Sequence, residues 1–585
     1  MRIIGIIAVC LLFVACGQPE EKEVEVIDQN QDFQSYTTTF VDHLWKTYPS
    51  WASSEGMHDY DSVLTIFNAE KRKEVRAFID SNQRMLNRFD LNGLSELNQI
   101  DYYLIRDFLL KEKFYLDDMK GGQWNPAQYN LGGQFFNVLS YQGKSLEDRL
   151  SAINHKLDRV AEYYSYAKKN LKQPTLVHTD LAISQVSGSV SIFNESIRDS
   201  IALSKWSKEQ KEAMESKLDD AISAINGYVS WLTDDLKPQV ERGERVRDFR
   251  LGDTLYDQKF KYNMGSSFSA REIYQKAIER KLLLHEKMYD VTARLWPKYF
   301  GESSLPEYRE EAIMKMIDTL SYVHAHRDSF ITTIRAQIPE LVNFINEKDL
   351  LTLDPEKPLT VRATPEYMRG VAGASISAPG PYDADAETYY NVTPLDHYSE
   401  AEAESYLREY NQYLLQILNI HEAIPGHYTQ LVYSNKSPSL IKSILGNGAM
   451  IEGWAVYTEL MMLENGYGNN SDELWLMYYK WNLRTVCNTI LDYSVHVLGM
   501  NEEEAITLLT KEAFQQEEEA KGKWKRVQLT SVQLCSYFTG FYEIMDLREE
   551  LKRKKGDQFD LKTFHEEFLS YGSAPVKYIR MLMVD

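Results

Sequence analysis

Residues 420–430 read Ile-His-Glu-Ala-Ile-Pro-Gly-His-Tyr-Thr-Gln. A His-Glu pair with a second His close by is a donor set suited to zinc and to hydrolysis. Neutral imidazole nitrogens bind the ion, one coordination position stays open, and an adjacent carboxylate handles the proton of an attacking water. In the common H-E-x-x-H spacing the two His lie four apart and share a helical face. Here His421 and His427 are six apart, a rotation of about −120° on a regular helix. Pro425 and Gly426 stand between them, and that dipeptide disfavours regular helix. The sequence therefore predicts a kink or bulge that swings His427 back towards His421.

A second cluster follows. Residues 449–459 read Ala-Met-Ile-Glu-Gly-Trp-Ala-Val-Tyr-Thr-Glu, with Glu452 25 residues after His427. Glu452 and Glu459 are seven apart, so a helix presents both on one face. A third ligand from the next helix gives a His-His-Glu set, and Glu459 is placed to orient one of the ligands by a hydrogen bond. Trp454, Ala455, Val456 and Tyr457 predict that this helix is buried, where carboxylates need partners.

A third cluster holds Arg484, Asp492 and His496 on one helical block, followed by Tyr537 and Arg548. Asp492 and His496, four apart, are expected to face each other. Tyr537 or His496 has the chemistry to donate to an oxyanion, and Arg548 or Arg484 to pair with a substrate carboxylate.

The elements that must carry these groups read as helices. Residues 207–236, 269–296, 307–346 and 400–423 repeat apolar positions every three to four, and Ser269 with Glu272 is spaced as a capping box. The exception is 357–393, rich in Pro, Gly, Thr and Val. It reads as short strands and loops, with Thr388 to Thr393 (TYYNVT) as the best strand. Tyr390 and Asn391 on that strand are expected to align an extended peptide by strand addition. The fold class is mainly α: a large helical body with a central cleft and a small β element. Gly243, Gly252 and Gly265 punctuate polar sequence near 245–268. The expected division is an N-terminal helical subdomain over 31–260 and a catalytic helical subdomain over 261–585.

The N-terminus addresses the compartment. Arg2 precedes an apolar stretch from Ile3 to Val14, which ends in Phe13-Val14-Ala15-Cys16-Gly17. That is the length of a signal-peptide core and too short for a membrane-spanning helix. It is similar to a lipobox, with Phe13 where Leu is usual, so residues 1–16 read as a lipoprotein signal ending at a lipidated Cys16. The polar, acidic segment 17–30 reads as a disordered tether. The protein is thus expected in the bacterial cell envelope, held to a membrane by its lipid and facing the periplasm or the cell surface. Two body cysteines, Cys487 and Cys535, make no disulfide framework. A net charge of −21 over 585 residues argues against nucleic acid and anionic lipid as partners.

The motifs His421-Glu-Ala-Ile-Pro-Gly-His427 and Glu452-Gly-Trp-Ala-Val-Tyr-Thr-Glu459 resemble those of domain-of-unknown-function family 885. So do Tyr537-x-x-Gly540 with Leu547-Arg548, and Phe564-His565 with Tyr571-Gly-Ser-Ala-Pro575. Fainter agreement reaches Pro49, the segment Gly56-Met-His58-Asp-Tyr60-Asp61, and Leu251-Gly252. The segment from Gly373 to Pro379 departs from that family in lacking tyrosines. The resemblance implies bacterial proteins, often lipoproteins, grouped with His-Glu-type zinc metallopeptidases. It implies a helical, cleft-shaped fold broadly similar to the angiotensin-converting-enzyme and oligopeptidase groups. It also implies His421, His427 and Glu452 as zinc ligands and Glu422 as general base. The expected activity is hydrolysis of peptides outside the cytoplasm. A zinc amidohydrolase or esterase is the alternative of the same chemistry, and a non-catalytic helical binding lipoprotein is the alternative of another class.

Overall fold

The computed structural model describes residues 27–357, 359–364, 373–378, 380–382, 387–436 and 439–584. Cys16 and most of the expected tether lie outside the described residues. The fold begins slightly earlier than expected. The Gln29 N–H donates to Gly93 O at 3.0 Å, and Asn30 accepts from the Ser95 N–H at 2.8 Å.

The first helices show why the chain collapses as it does. Helix α1 (Asn30–Thr47) buries Phe33, Tyr36, Phe40, Val41, Leu44 and Trp45, one apolar stripe at three- and four-residue steps. It packs on α2 (Ala69–Leu86) and α3 (Glu96–Phe114), whose first turns are capped by Asn68 and Ser95. Helix α4 (Lys208–Ser230) starts at a Ser207–Gln210 capping box and buries Met214, Leu218, Ala221, Ile225 and Tyr228. The helix expected over 207–236 is therefore present, its last turn widened into a π segment over Trp231–Leu236. Helix α5 (Ala270–Phe300) starts at the predicted Ser269–Glu272 capping box.

Two of the expected helices are each two. The 307–346 block divides into Arg309–Ser321 and α6 (Phe330–Glu347). The 400–423 block divides into Glu400–Glu409 and α7 (Gln412–Glu422). Asn411 causes the second break: its side chain accepts from the N–H groups of Tyr413 and Leu414, so it restarts a helix instead of continuing one.

The β element is a three-stranded sheet of β1 (Leu359–Ala363), β2 (Ala374–Ser377) and β3 (Thr388–Val392), in the order β1-β3-β2. β3 runs parallel to β1, with Val361 opposite Tyr390, and antiparallel to β2, with Ile376 opposite Tyr390. The predicted strand is thus the central one. Both its edges are hydrogen-bonded, so it cannot take up a further strand; the edges of this sheet are β1 and β2.

The packing does not divide at residue 260. One hydrophobic core joins α1–α3 to residues 256–583, and a second lies mainly within 129–240. The N-terminal helices belong with the C-terminal part because their faces fit it. Tyr103 stacks on Tyr578 at 4.4 Å, Lys442 pairs with Asp101 at 2.6 Å, and Trp45 donates to Tyr382 at 2.7 Å.

Candidate metal centre

Helix α7 presses Leu414, Leu415, Ile417 and Leu418 into the core and ends at Glu422, leaving His421 buried in its last turn. The chain then reverses through Ala423, a cis Ile424–Pro425 peptide and Gly426. The Gly426 N–H donates to Ile420 O at 3.0 Å, and Trp454 donates to Pro425 O at 2.9 Å. A Cβ at Gly426 would overlap the carbonyl oxygens of His421 and Ile420, so the turn admits only glycine. Helix α8 (His427–Asn435) starts directly after it. The kink brings the two imidazoles together, with ring centroids 4.8 Å apart and planes nearly perpendicular.

Helix α9 (Gly448–Glu464) supplies the carboxylates and is buried along almost its whole length. Its Gly453 crosses Gly540 of α11 (Ser536–Lys555), backbone against backbone, with no room for a Cβ on either. Helix α10 (Asp472–Tyr493) lies along α5 and touches both α7 and α9. Glu452 Oε2 stands 3.4 Å from His427 Nε2 and 3.8 Å from His421 Nε2. One donor atom from each of His421, His427 and Glu452 falls within 4.8 Å of the others. His421 Nδ1 lies 2.7 Å from Glu459 Oε1, which also accepts from Trp481 Nε1 at 3.0 Å. This contact places the proton on Nδ1 and leaves Nε2 with its lone pair towards the cluster.

The electrostatics suit a cation. Burial, with His427 beside it, pulls His421 down to about 4, so the ring is neutral. Burial disfavours the charged form of His427, but the neighbouring Glu452 carboxylate outweighs it and raises the pKa. Burial likewise opposes ionisation of Glu452, yet the contact with His427 holds it below the ordinary range. Burial lifts Glu422, against the pull of His427 and His421, and pushes the wholly buried Glu459 well above its usual value. Oε2 of Glu452 and Oε2 of Glu459 are buried without a hydrogen-bond donor. Two imidazole nitrogens and a carboxylate oxygen without a donor are a donor set that fits zinc.

The other expected residues divide. Tyr537 lies within electrostatic reach of Glu452: burial and the charge of Glu452 both raise its pKa, and Arg526 reaches its hydroxyl at 3.4 Å. His496 is engaged elsewhere. Its Nε2 lies 2.9 Å from both Val527 O and Thr530 O, within a buried group with Tyr256. Asp492 does not face His496 or any of the ligands; it accepts from Tyr256, Val532 N–H and Leu534 N–H. Both side chains hold the 527–534 segment, which runs from a helix end into a 3-10 turn. Arg548 is buried under Tyr457 and paired with Glu464 at 2.8 Å, and Arg484 is paired with Glu519 at 2.7 Å. Arg484 keeps its Nη1 buried without a hydrogen-bond partner, and its charge reaches His421. Asn391 bridges Arg362 and Ser377 within the sheet. Tyr390, fully buried, donates to Asn419 two residues before His421, so it supports α7 from beneath.

Several supporting residues were not legible in the sequence. Trp481, Asn419 and Arg526 follow no spacing rule. Trp454 sat inside a motif, but its grip on Pro425 needs the turn to be known. The remote motifs act as clamps. Ser573 accepts from Gln430 of α8 and, through its carbonyl, from the N–H of Asn447, the residue that caps α9. His565, on α12 (Leu561–Ser570), joins Tyr457 to Leu350 O.

Fold and site together define a mainly helical protein with a buried His-His-Glu cluster of metal-ligating geometry. Residues 49–583 match the family described as bacterial protein of unknown function, DUF885, and the chain belongs to that family. It is similar to a solved structure from Shewanella oneidensis, described as a candidate lipoprotein of unknown function, at 50% identity and a TM-score of 0.88. That match covers 94% of this chain and 100% of the other. A second candidate lipoprotein, from Colwellia psychrerythraea, shares the fold at 18% identity and a TM-score of 0.76, over 94% of this chain and 98% of the other. No curated protein matches the sequence.

Proposed function

We propose that this chain is a zinc-dependent hydrolase, a metallopeptidase acting on peptides outside the cytoplasm. The observation that carries the reading is the convergence of His421 Nε2, His427 Nε2 and Glu452 Oε2, with Glu422 adjacent in sequence to one ligand. His421, His427 and Glu452 would hold a zinc ion there, which would supply Lewis-acid activation of the attacking water. Glu422, its own pKa lifted by burial, accepts a proton from the attacking water and returns it to the leaving amine. Tyr537 donates its hydroxyl proton in a hydrogen bond to the developing oxyanion. Glu459 and Trp481 hold His421 in orientation.

The Val14-Ala15-Cys16 sequence and the lipoprotein descriptions of two relatives support lipidation at Cys16 and a place in the bacterial envelope. No helix among the described residues is long and apolar enough to cross a membrane.

Elemental analysis of the purified protein beside His421→Ala tests the site. About one zinc per chain, lost in the variant, is expected. No metal in either after zinc is supplied would overturn the hydrolase reading. A peptide-library digest by the zinc-loaded protein then tests the substrate class: cleavage of ester or non-peptide amide probes alone would replace peptidase with another acyl hydrolase.

A further inference from the structure

A cavity of about 620 Å³ opens where the two hydrophobic cores meet, and it shares no lining residue with the metal centre. That volume suits a small organic ligand. Its walls are aromatic, with Tyr48 and Tyr115 from one side and Tyr129, Tyr163 and Tyr166 from the other. Glu112 also lines it. The Tyr48 hydroxyl donates to Glu112 Oε2 at 2.7 Å, and among the described residues no donor reaches Oε1. Burial raises the Glu112 pKa, against the Tyr48 hydrogen bond and the charge of nearby Lys111. Three exposed lysines, Lys120, Lys169 and Lys172, line the same cavity. In a chain of net charge −21, none of the three forms an ion pair with a described carboxylate.

A half-satisfied carboxylate on the wall, aromatic faces around it and exposed lysines without a carboxylate partner, Lys169 lying over the Tyr166 ring at 4.8 Å, are complementary to one kind of molecule. It carries a positive donor at one end, an apolar aromatic body, and a negative group at the other. We infer that this cavity binds a short zwitterionic peptide with aromatic side chains, its free amino group on Glu112 and its carboxylate on the lysines. The size excludes a folded partner, and the two signs of charge disfavour a simple anion or a simple amine. The site is independent of the hydrolase reading, since it uses no residue of the metal centre.

The test is calorimetric titration of the purified full chain in detergent with the dipeptide Phe-Phe. EDTA is present throughout, so that a metal-dependent site contributes neither turnover nor binding. One saturable site per chain is expected. N-acetyl-Phe-Phe and Phe-Phe amide are each expected to bind about tenfold more weakly or worse. Glu112→Gln should weaken Phe-Phe about tenfold and leave the acetylated peptide unchanged. Should that variant fail to fold, the surface pair Lys169→Ala with Lys172→Ala gives the mirror result: Phe-Phe weakened and its amide unaffected. No saturable binding, or binding indifferent to blocking either terminus, would overturn the inference. So would binding lost in His421→Ala but kept in Glu112→Gln, which would place the peptide at the metal centre.

Discussion

Two buried regions of the chain each hold histidine and acid, and they differ in what their polar atoms face. Around His421 and Glu452 the donor atoms converge on one point, and two carboxylate oxygens have no donor at all. Around Asp492 and His496, both buried, the polar atoms turn to separate backbone partners. Asp492 accepts three hydrogen bonds, two of them from the 532–534 backbone, and His496 Nε2 meets two backbone carbonyls; only its Nδ1 lacks a partner. A buried polar group without a partner is costly; the first cluster keeps two such oxygens, which suits the proposed ion, whereas Asp492 is engaged by the backbone of 532–534. Residue type does not separate the two; the direction of the lone pairs does.

The largest effect that would sharpen this contrast is on turnover. Glu422→Gln should retain zinc and lower kcat by about 10²–10⁴; full activity with zinc bound would remove Glu422 as the base. Next is an effect on the metal without loss of any ligand. Gly426→Ala forces a side chain against the His421 carbonyl and should swing His427 out, with zinc affinity falling by on the order of 10–100-fold. Unchanged zinc stoichiometry under competition with a chelator would mean that the turn does not aim the ligand.

The third effect is on stability alone. Asp492→Asn sets an NH₂ group against N–H donors and should cost about 2–3 kcal/mol in denaturant unfolding while zinc content stays at the wild-type level. Loss of zinc with intact stability would break the contrast, because Asp492 would then belong to the metal centre. The smallest effect is a slope. Burial lifts Glu543 to about 7 from 4.5, against the Ser267 N–H, the Ser266 hydroxyl and the charges of Lys577 and Arg580. Between those values the folded chain keeps a proton that the unfolded chain releases. This contribution is fully present below about pH 4.5 and is lost as the pH rises to about 7, a change of up to about 3 kcal/mol. Glu543→Gln should flatten that part of the stability profile; an unaltered slope would show that Glu543 ionises normally in the fold.

Much of the His-His-Glu cluster was legible because its signals are local. His421, Glu422 and His427 lie within one short segment, the Pro-Gly break between them has a known backbone consequence, and Glu452 and Glu459 follow helical spacing. The surroundings of the cations and of the strand residues depend instead on remote partners. Arg548 and Arg484 were named for their charge, but Glu464 and Glu519, distant in sequence, neutralise them. Tyr390 and Asn391 were placed on the right strand, yet strand order decides whether a strand is an edge, and β3 proved central. The boundary at 260 followed glycine punctuation, whereas the packing of α1–α3 on the C-terminal helices depends on faces that meet only in three dimensions.

The sequence by itself determined the helical class, the capped starts at Ser207 and Ser269, the strand at 388–392 and the residue types of the His-His-Glu cluster. Each of these rests on interactions within a few residues, where periodicity and backbone sterics act directly. Only the tertiary structure decided which acids keep unpaired oxygens, which cations are already neutralised, which strand is free at its edge and which glycines lie in helix crossings. Those outcomes depend on partners contributed by remote segments, and a buried polar atom takes its role from what the packed chain places beside it.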